Sequence, residues 1–359
     1  MAIGDLLHQT PVTTPDPYTG CPVTRLTPPD HTSHHMYFYN RMVTSDSSRL
    51  LYCAEINGRR NLYLMELATG DAVQLTEGDA LDDYGAMISA DDKSVYYQQD
   101  RKVWKLDLAT LQRTCLYAAP DGWDCGNWGM SDDNRYLVMT ETRRDTLPDL
   151  TGKKGWEFFP LTCAAKPLCH IVYLDTQTGE HHIVVEDRCW FGHAQLRPGD
   201  PDTILFCHEG PYDMIDARLW LIQSDGSRYR CARPQPKDVI ITHEFWMPTG
   251  DRLAYVYRKA DDGSTETIRM MRPETLEEEL FMPCLPYAHF ICDRQRRWFV
   301  GDCQGQETPI HLQTGEGRGQ EVRNDFIYLV DIARKKEIPL CYHGTSWTTI
   351  HGTPQDAHP

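Results

Sequence analysis

Ser45-Asp46-Ser47-Ser48, Leu50-Leu51-Tyr52-Cys53, Asn61-Leu62-Tyr63-Leu64-Met65, Ala68-Thr69-Gly70 and Ala72-Val73-Gln74-Leu75-Thr76 make up one unit of a repeat. A polar turn opens the unit, two alternating apolar strands follow, and a second turn leads into a closing strand. The next copy reads Ser89-Ala90-Asp91-Asp92, Val95-Tyr96-Tyr97, Val103-Trp104-Lys105-Leu106-Asp107-Leu108 and Leu116-Tyr117. Later copies open at Ser131-Asp132-Asp133-Asn134, Arg197-Pro198-Gly199-Asp200, Pro248-Thr249-Gly250-Asp251 and Cys292-Asp293-Arg294-Gln295. Spacings of about 40–50 residues with period-2 strands are the pattern of β-propeller blades. An insertion near residues 143–168 lengthens the third copy. Nowhere does a long 3.6-residue periodicity support a helical solenoid, and a β-sandwich would not repeat so regularly.

Six copies span about residues 37–340, and the two ends point to a seventh. Thr19-Gly20-Cys21-Pro22-Val23-Thr24-Arg25-Leu26-Thr27 matches the closing strand of a blade but has no strands before it, while residues 345–359 read as the approach to another blade. An N-terminal strand, residues 17–28, that completes the last blade would close the ring and remove its open edges. The expected fold is therefore all-β: one domain over residues 1–359, a seven-bladed propeller whose seventh blade is incomplete in this chain. The sequence stops before the inner strands of that blade, as a truncated chain would.

The chain of 359 residues is 40% hydrophobic and 25% charged, ordinary for a soluble globular protein. Its net charge of −16 opposes non-specific binding to nucleic acid or an anionic membrane. Thirteen cysteines, with no C-x-x-C pair, read as buried free thiols in a reducing compartment. Met1-Ala2-Ile3-Gly4-Asp5 shows no basic region leading into an apolar one. Cytoplasm is the expected location.

In a propeller blade, the connection into the innermost strand (a) and the connection between the second and third strands (b and c) open on the same face. His35, His193, His243 and His289 each precede an a–b turn by a few residues, on or just before strand a. His208 and Arg218 flank the b–c connection of the fourth copy, Cys207-His208-Glu209-Gly210-Pro211-Tyr212-Asp213 running on to Asp216-Ala217-Arg218. Gln355 and His358 fall on the strand-a approach of the unfinished seventh blade. Repeat phase thus gathers these residues at one mouth of the ring. A single inner-strand histidine is more often a packing residue than a ligand, Glu209 and Asp213 also serve as turn caps, and Gln355-x-x-His358 alone is a weak motif. Arg218 is less ordinary, because a cation facing the channel needs a carboxylate or an anionic ligand.

Competing motifs are poor. There is no G-x-S-x-G elbow, and neither His-Glu pair has a second histidine at metalloprotease spacing. Gly315-Glu316-Gly317-Arg318-Gly319 is a loop. Loop tryptophans such as Trp123, Trp128, Trp190 and Trp347 suit sugar stacking as well as blade-edge packing.

Several long motifs resemble the oligogalacturonate lyases. They are Trp190-Phe191-Gly192-His193, Arg197-Pro198-Gly199-Asp200, Cys207-His208-Glu209-Gly210-Pro211 with Asp216-Ala217-Arg218-Leu219-Trp220, Thr242-His243-Glu244-Phe245-Trp246, Gly344-Thr345-Ser346-Trp347 and the opening Arg25-Leu26-Thr27-Pro28-Pro29-Asp30. The resemblance runs in order from about residue 17 to residue 359. It implies a cytoplasmic seven-bladed propeller that cleaves short galacturonate oligomers, chiefly dimers, by β-elimination in pectin breakdown. It also implies a divalent metal, typically Mn²⁺, held by three histidines and a glutamine. His289, Gln355 and His358 match three of those ligands, and the fourth would follow Pro359.

By the same resemblance Arg218 is the base. An intrinsic pKa above about 12 makes arginine an awkward one, and His243 is the conventional alternative or a substrate contact. His35, Arg41, His193 and His208 are the candidates for holding the carboxylates of a small acidic oligosaccharide. A cation beside the uronate carboxylate would acidify the C5 proton, whose removal breaks the C4–O bond without water. Two other readings compete with this one. The first is a non-catalytic propeller that binds an oligosaccharide or a protein. The second is a glycoside hydrolase using Glu209 and Glu244, which would need carboxylates about 5–10 Å apart.

Overall fold

The computed structural model describes residues 2–259, 266–303, 305–313, 319–344, 349–350 and 353–354. Among these residues the repeats form six antiparallel sheets, each with its four repeat strands in chain order from the innermost strand outward. The innermost strands are Ser33–His35, Met87–Ile88, Trp123–Met130, Phe191–Arg197, Val239–Trp246 and Tyr287–Cys292, which begin blades one to six. The hairpin Gly305–Gln313 and Gly319–Asn324 is inserted between the second and third strands of blade six.

The repeated polar turns explain why each strand a folds back into strand b. Ser89 Oγ donates to Asp91 Oδ1 at 2.6 Å, and the same oxygen accepts the Lys93 amide. Ser131, Asp133 and the Arg135 amide repeat the arrangement. The carboxylate replaces a backbone acceptor, and the next residue turns left-handed, with φ of 60° at Asp92 and 58° at Asn134. The outer turns work similarly, Asp107 Oδ1 accepting the Ala109 and Thr110 amides.

The apolar core lies between consecutive sheets. Leu51, Leu62 and Leu64 of blade one meet Ile88, Val95 and Tyr97 of blade two. Val138 and Ile171 of blade three meet Phe191, Ile204 and Phe206 of blade four. Phe245, Val256 and Ile268 of blade five meet Phe290, Phe299 and Val330 of blade six. Each strand alternates its side chains between the two flanking interfaces, so both faces are apolar.

The ends of the chain differ from expectation. Pro22–Arg25, the expected closing strand, pairs with Val12–Pro15 in a hairpin rather than standing alone. The Asp16 carboxylate holds the connecting turn by accepting the Tyr18 and Thr19 amides. That turn docks on the outer strand of blade six: Thr19 Oγ1 donates to the Leu340 carbonyl at 2.6 Å, and the Tyr342 amide donates to Asp16 Oδ2 at 2.8 Å. Ahead of it, Leu6–Leu7 adds a fifth strand to blade one, paired with Ala72 and Val73. Of the expected start of blade seven, Thr349–Ile350 pairs with Thr353–Pro354. Gln355 and His358 lie outside the described residues. The insertion in blade three joins Tyr136–Arg143 to Leu168–Asp175 and contains one α-helix, Phe158–Ala165, ended by Lys166 in a left-handed conformation.

Candidate active site

Strand a of each of blades three to six carries an irregularity of register at a similar depth. The pairing slips between Cys125 and Trp128, Gly192 and Gln195, Thr242 and Phe245, and Tyr287 and His289. In blades four and five the bulge contains a left-handed histidine, with φ of 50° at His193 and 56° at His243. A bulge re-aims the side chain it carries, and a non-glycine residue at positive φ is uncommon enough to mark a functional position.

Arg218 immediately precedes the third strand of blade four, Leu219–Gln223, and is buried among carboxylates. Its Nε donates to Glu244 Oε2 at 2.8 Å, Nη2 to Glu244 Oε1 at 3.3 Å and Nη1 to Glu209 Oε2 at 3.2 Å. Glu244 is completely buried. Burial alone would push Glu244 up, but Arg218 and His193 hold it well below the usual carboxylate range. Glu209 is likewise held down by Arg218 and His193 against its burial. Burial alone would lower Arg218, yet the adjacent Cys207, Glu209 and Glu244 hold it well above its ordinary value. The guanidinium is therefore fixed and cationic.

His193 joins this group, with Nδ1 2.9 Å from Glu244 Oε1. Since an ionised carboxylate only accepts, Nδ1 carries the proton, and in the neutral ring Nε2 accepts from the Tyr37 hydroxyl at 3.2 Å. The 3.3 Å approach of Arg218 Nη2 to Nδ1 is then a contact between two donors.

His243 and His289 stand beside the group, their ring centroids 4.4 Å apart. His243 Nδ1 is buried and makes no hydrogen bond among the described residues. Its burial, the neighbouring His289 and Arg218 push its pKa well below the usual histidine value. His289 Nδ1 lies 3.1 Å from Oδ2 of the fully buried Asp302, whose Oδ1 accepts the His289 amide at 2.5 Å. A carboxylate behind an imidazole fixes its tautomer and directs Nε2 outward, the arrangement found behind metal-bound histidines.

Blade one supplies the remaining wall. Its inner strand is interrupted after His35, and Tyr37-Phe38-Tyr39 crosses to the opposite blades. Tyr37 contacts the rings of His193 and His289, Phe38 those of His243 and His289, and Tyr39 that of His193. Burial raises the Tyr37 and Tyr39 hydroxyls well above the ordinary phenol value, and so keeps them protonated.

Of the expected residues, Arg218, His193, His243 and His289 come together, whereas Arg41 and His208 lie elsewhere. Arg41 belongs to the opposite face, where it donates to the Ser89 carbonyl, Ser45 Oγ and Asp92 Oδ1 in the a–b turns of blades one and two. His208 follows Cys207 on its strand and so takes the other side of the sheet. There it stacks on Trp220, centroids 4.4 Å apart, with Nε2 3.3 Å from the Tyr229 hydroxyl. Burial pushes it down to about 4, so it is a neutral packing residue. His35 Nδ1 lies 2.6 Å from the Met36 carbonyl, and Tyr37, two residues further on, reaches His193.

Glu209 and Glu244 do not form a hydrolase pair. Both are held ionised by Arg218, so neither is poised as the general acid. Their role as partners of Arg218, and those of Asp302 and Tyr37, were not evident from the sequence. The need of Arg218 for a carboxylate was the one available signal.

The chain matches the family model described as oligogalacturonate lyase over residues 1–359. It is 35% identical over 362 residues to the oligogalacturonide lyase of Pectobacterium atrosepticum, covering all of this chain and 91% of the relative. It is 36% identical over 364 residues to the oligogalacturonate lyase of Dickeya dadantii, with the same coverage. A solved structure of oligogalacturonate lyase in complex with manganese superposes with a TM-score of 0.87 at 35% identity, covering 98% of this chain and 89% of the other. With its inner-strand histidines and buried arginine at one mouth of the ring, this chain belongs to the oligogalacturonate lyase family.

Proposed function

We propose that the protein cleaves short galacturonate oligomers by Mn²⁺-assisted β-elimination, giving 5-keto-4-deoxyuronate from digalacturonate. The observation that carries this reading is the meeting of His243, Asp302-backed His289 and Arg218 at one mouth, in a chain of this family. The described donors suit a divalent cation. His289 is oriented by a buried carboxylate, as a metal-binding imidazole is. Gln355 and His358 complete the proposed ligand set with His289. The proposal includes a seventh blade, with the hairpin Val12–Pro15 and Pro22–Arg25 on its outer side, as the docking of Asp16 and Thr19 on blade six favours. A cytoplasmic location accords with the thirteen free thiols.

When bound, the cation supplies a Lewis acid that withdraws charge from the uronate carboxylate and acidifies the neighbouring C5–H. The chain's own residues then divide the work. In the β-elimination a base takes the C5 proton, the C4–C5 double bond forms as the C4–O bond breaks, and the leaving oxygen is protonated; water is not consumed. Arg218 is the family's base by resemblance, and two carboxylates hold it cationic in the resting site. That geometry favours His243, neutral with an uncommitted Nδ1, as the proton acceptor, and Arg218 as the fixed cation facing the substrate's charge. Glu244 and Glu209 keep the guanidinium in place, His193 bonds to Glu244, and Tyr37 closes the site on the blade-one side.

Digalacturonate with and without Mn²⁺ tests the reaction: release of 5-keto-4-deoxyuronate is expected only with metal, and no product from the metal-loaded protein rejects it. His243→Asn and Arg218→Lys separate the roles. Loss of the proton acceptor is expected to lower kcat by about 10²–10⁴-fold. If His243→Asn keeps near-normal kcat while Arg218→Lys abolishes turnover, Arg218 is the base.

A further inference from the structure

The insertion in blade three carries an exposed aromatic surface, and its turn Gly155–Glu157 lies against Thr353–Pro354. Trp156 is 57% exposed although it lies next to an ordered helix, and Leu147, Leu150 and Leu161 are also exposed. Trp156 stacks on Phe158, centroids 5.6 Å apart and rings inclined by 27°. Phe158 and Phe159 in turn pack on Trp190, at 6.2 and 5.4 Å. The Trp190 carbonyl accepts the amide of Glu209, the residue paired with Arg218. The helix is seated even closer to the site. A Cβ on Gly210, which follows Glu209, would stand 2.4 Å from Cys163 Sγ, so only glycine lets the helix approach there. The insertion is thus built onto the rim of the active-site mouth, one residue from the carboxylate that holds Arg218.

Its chemistry is that of a sugar-acid platform. An exposed indole offers an apolar face to the C–H side of a pyranose ring. Lys153 and Lys154 lie three and two residues before it in the chain, and within that distance Glu157 is the one acid. Lysines so placed suit the carboxylates of a polyuronate. One exposed indole with two lysines beside it in the chain matches a single uronate ring.

We propose that Trp156, with Lys153 and Lys154, binds the uronate ring that lies beyond the scissile pair, so that the insertion sets the preference among oligogalacturonides of different length. This rests on the lyase reading above. The test compares the Mn²⁺-loaded wild type with Trp156→Ala, a surface change that leaves the core intact. Steady-state kinetics on di- and trigalacturonate are joined by calorimetric binding of trigalacturonate and by light scattering. In the variant, KM and Kd for the trimer are expected to rise about five- to tenfold, with kcat and all dimer parameters within about twofold. Equal effects on dimer and trimer, or no effect on either, overturn the proposal. So does a change of molecular mass in the variant, which would make the surface a contact between copies. A wild type that binds the trimer through Trp156 but turns over neither substrate would instead reject the lyase reading and keep the platform.

Discussion

His243 and His289 come from the inner strands of neighbouring blades, yet their ring centroids are 4.4 Å apart. Two imidazolium charges that close would repel, and Arg218 adds a third positive charge nearby. The site therefore favours a neutral His243, and a neutral imidazole retains a lone pair for a proton or a cation. Protein folding energy has been spent on this proximity, since His243 occupies a left-handed bulge.

Asp302 is expected to set metal affinity without touching the metal. Asp302→Asn keeps the shape but weakens the hold on His289 Nδ1, and Mn²⁺ affinity should fall about 10- to 100-fold. Calorimetric titration with MnCl₂ measures it. Unchanged affinity would mean that His289 is oriented by something else.

Glu244→Gln should destabilise the fold as well as the site, because it strips a buried arginine of its bidentate partner. A loss of about 3–5 kcal/mol is expected in urea unfolding. The folded pKa of Glu244 lies below its ordinary value of 4.5. Its contribution is thus complete above about pH 4.5 and is lost as pH falls toward the folded value. The wild type should therefore lose more stability on acidification than Glu244→Gln does; parallel curves would contradict the pairing.

His208→Phe should be nearly silent in catalysis, with kcat/KM within about twofold of wild type. Its folded value of about 4 lies below the ordinary 6.5. The unfolded chain therefore takes up a proton first as pH falls, and stability conferred above pH 6.5 is lost toward pH 4, by up to about 3 kcal/mol. Phenylalanine should remove that component from the stability–pH curve. A large loss of turnover would return His208 to the substrate.

Much of the fold was legible because its turns are chemical. Ser-x-Asp and Asp-x-x-Thr-Gly sequences fold through contacts within a few residues, and the strands between them alternate regularly. Repeat phase therefore placed His193, His243 and His289 on inner strands and Arg218 at their mouth. The same logic failed for His208 and Arg41. A period of two sends His208 to the far side of its sheet, and Arg41 finds its acceptors on the turn face. Glu244, Asp302 and Tyr37 were hidden for another reason. Their roles depend on contacts between blades and on bulges, and no local pattern encodes where one blade leans on the next.

The aromatic run Tyr37-Phe38-Tyr39 bears on how the chain folds in time. Each blade can close on itself from neighbouring sequence, but Tyr37 meets His193 at a sequence separation of 156. The first blade is made early, and its crossing segment must wait for the fourth, fifth and sixth before it has anything to pack against. Contacts of such long range form slowly. The reactive mouth is accordingly expected to be the last part of the molecule to assemble, and catalytic competence should lag behind recovery of β-structure during refolding.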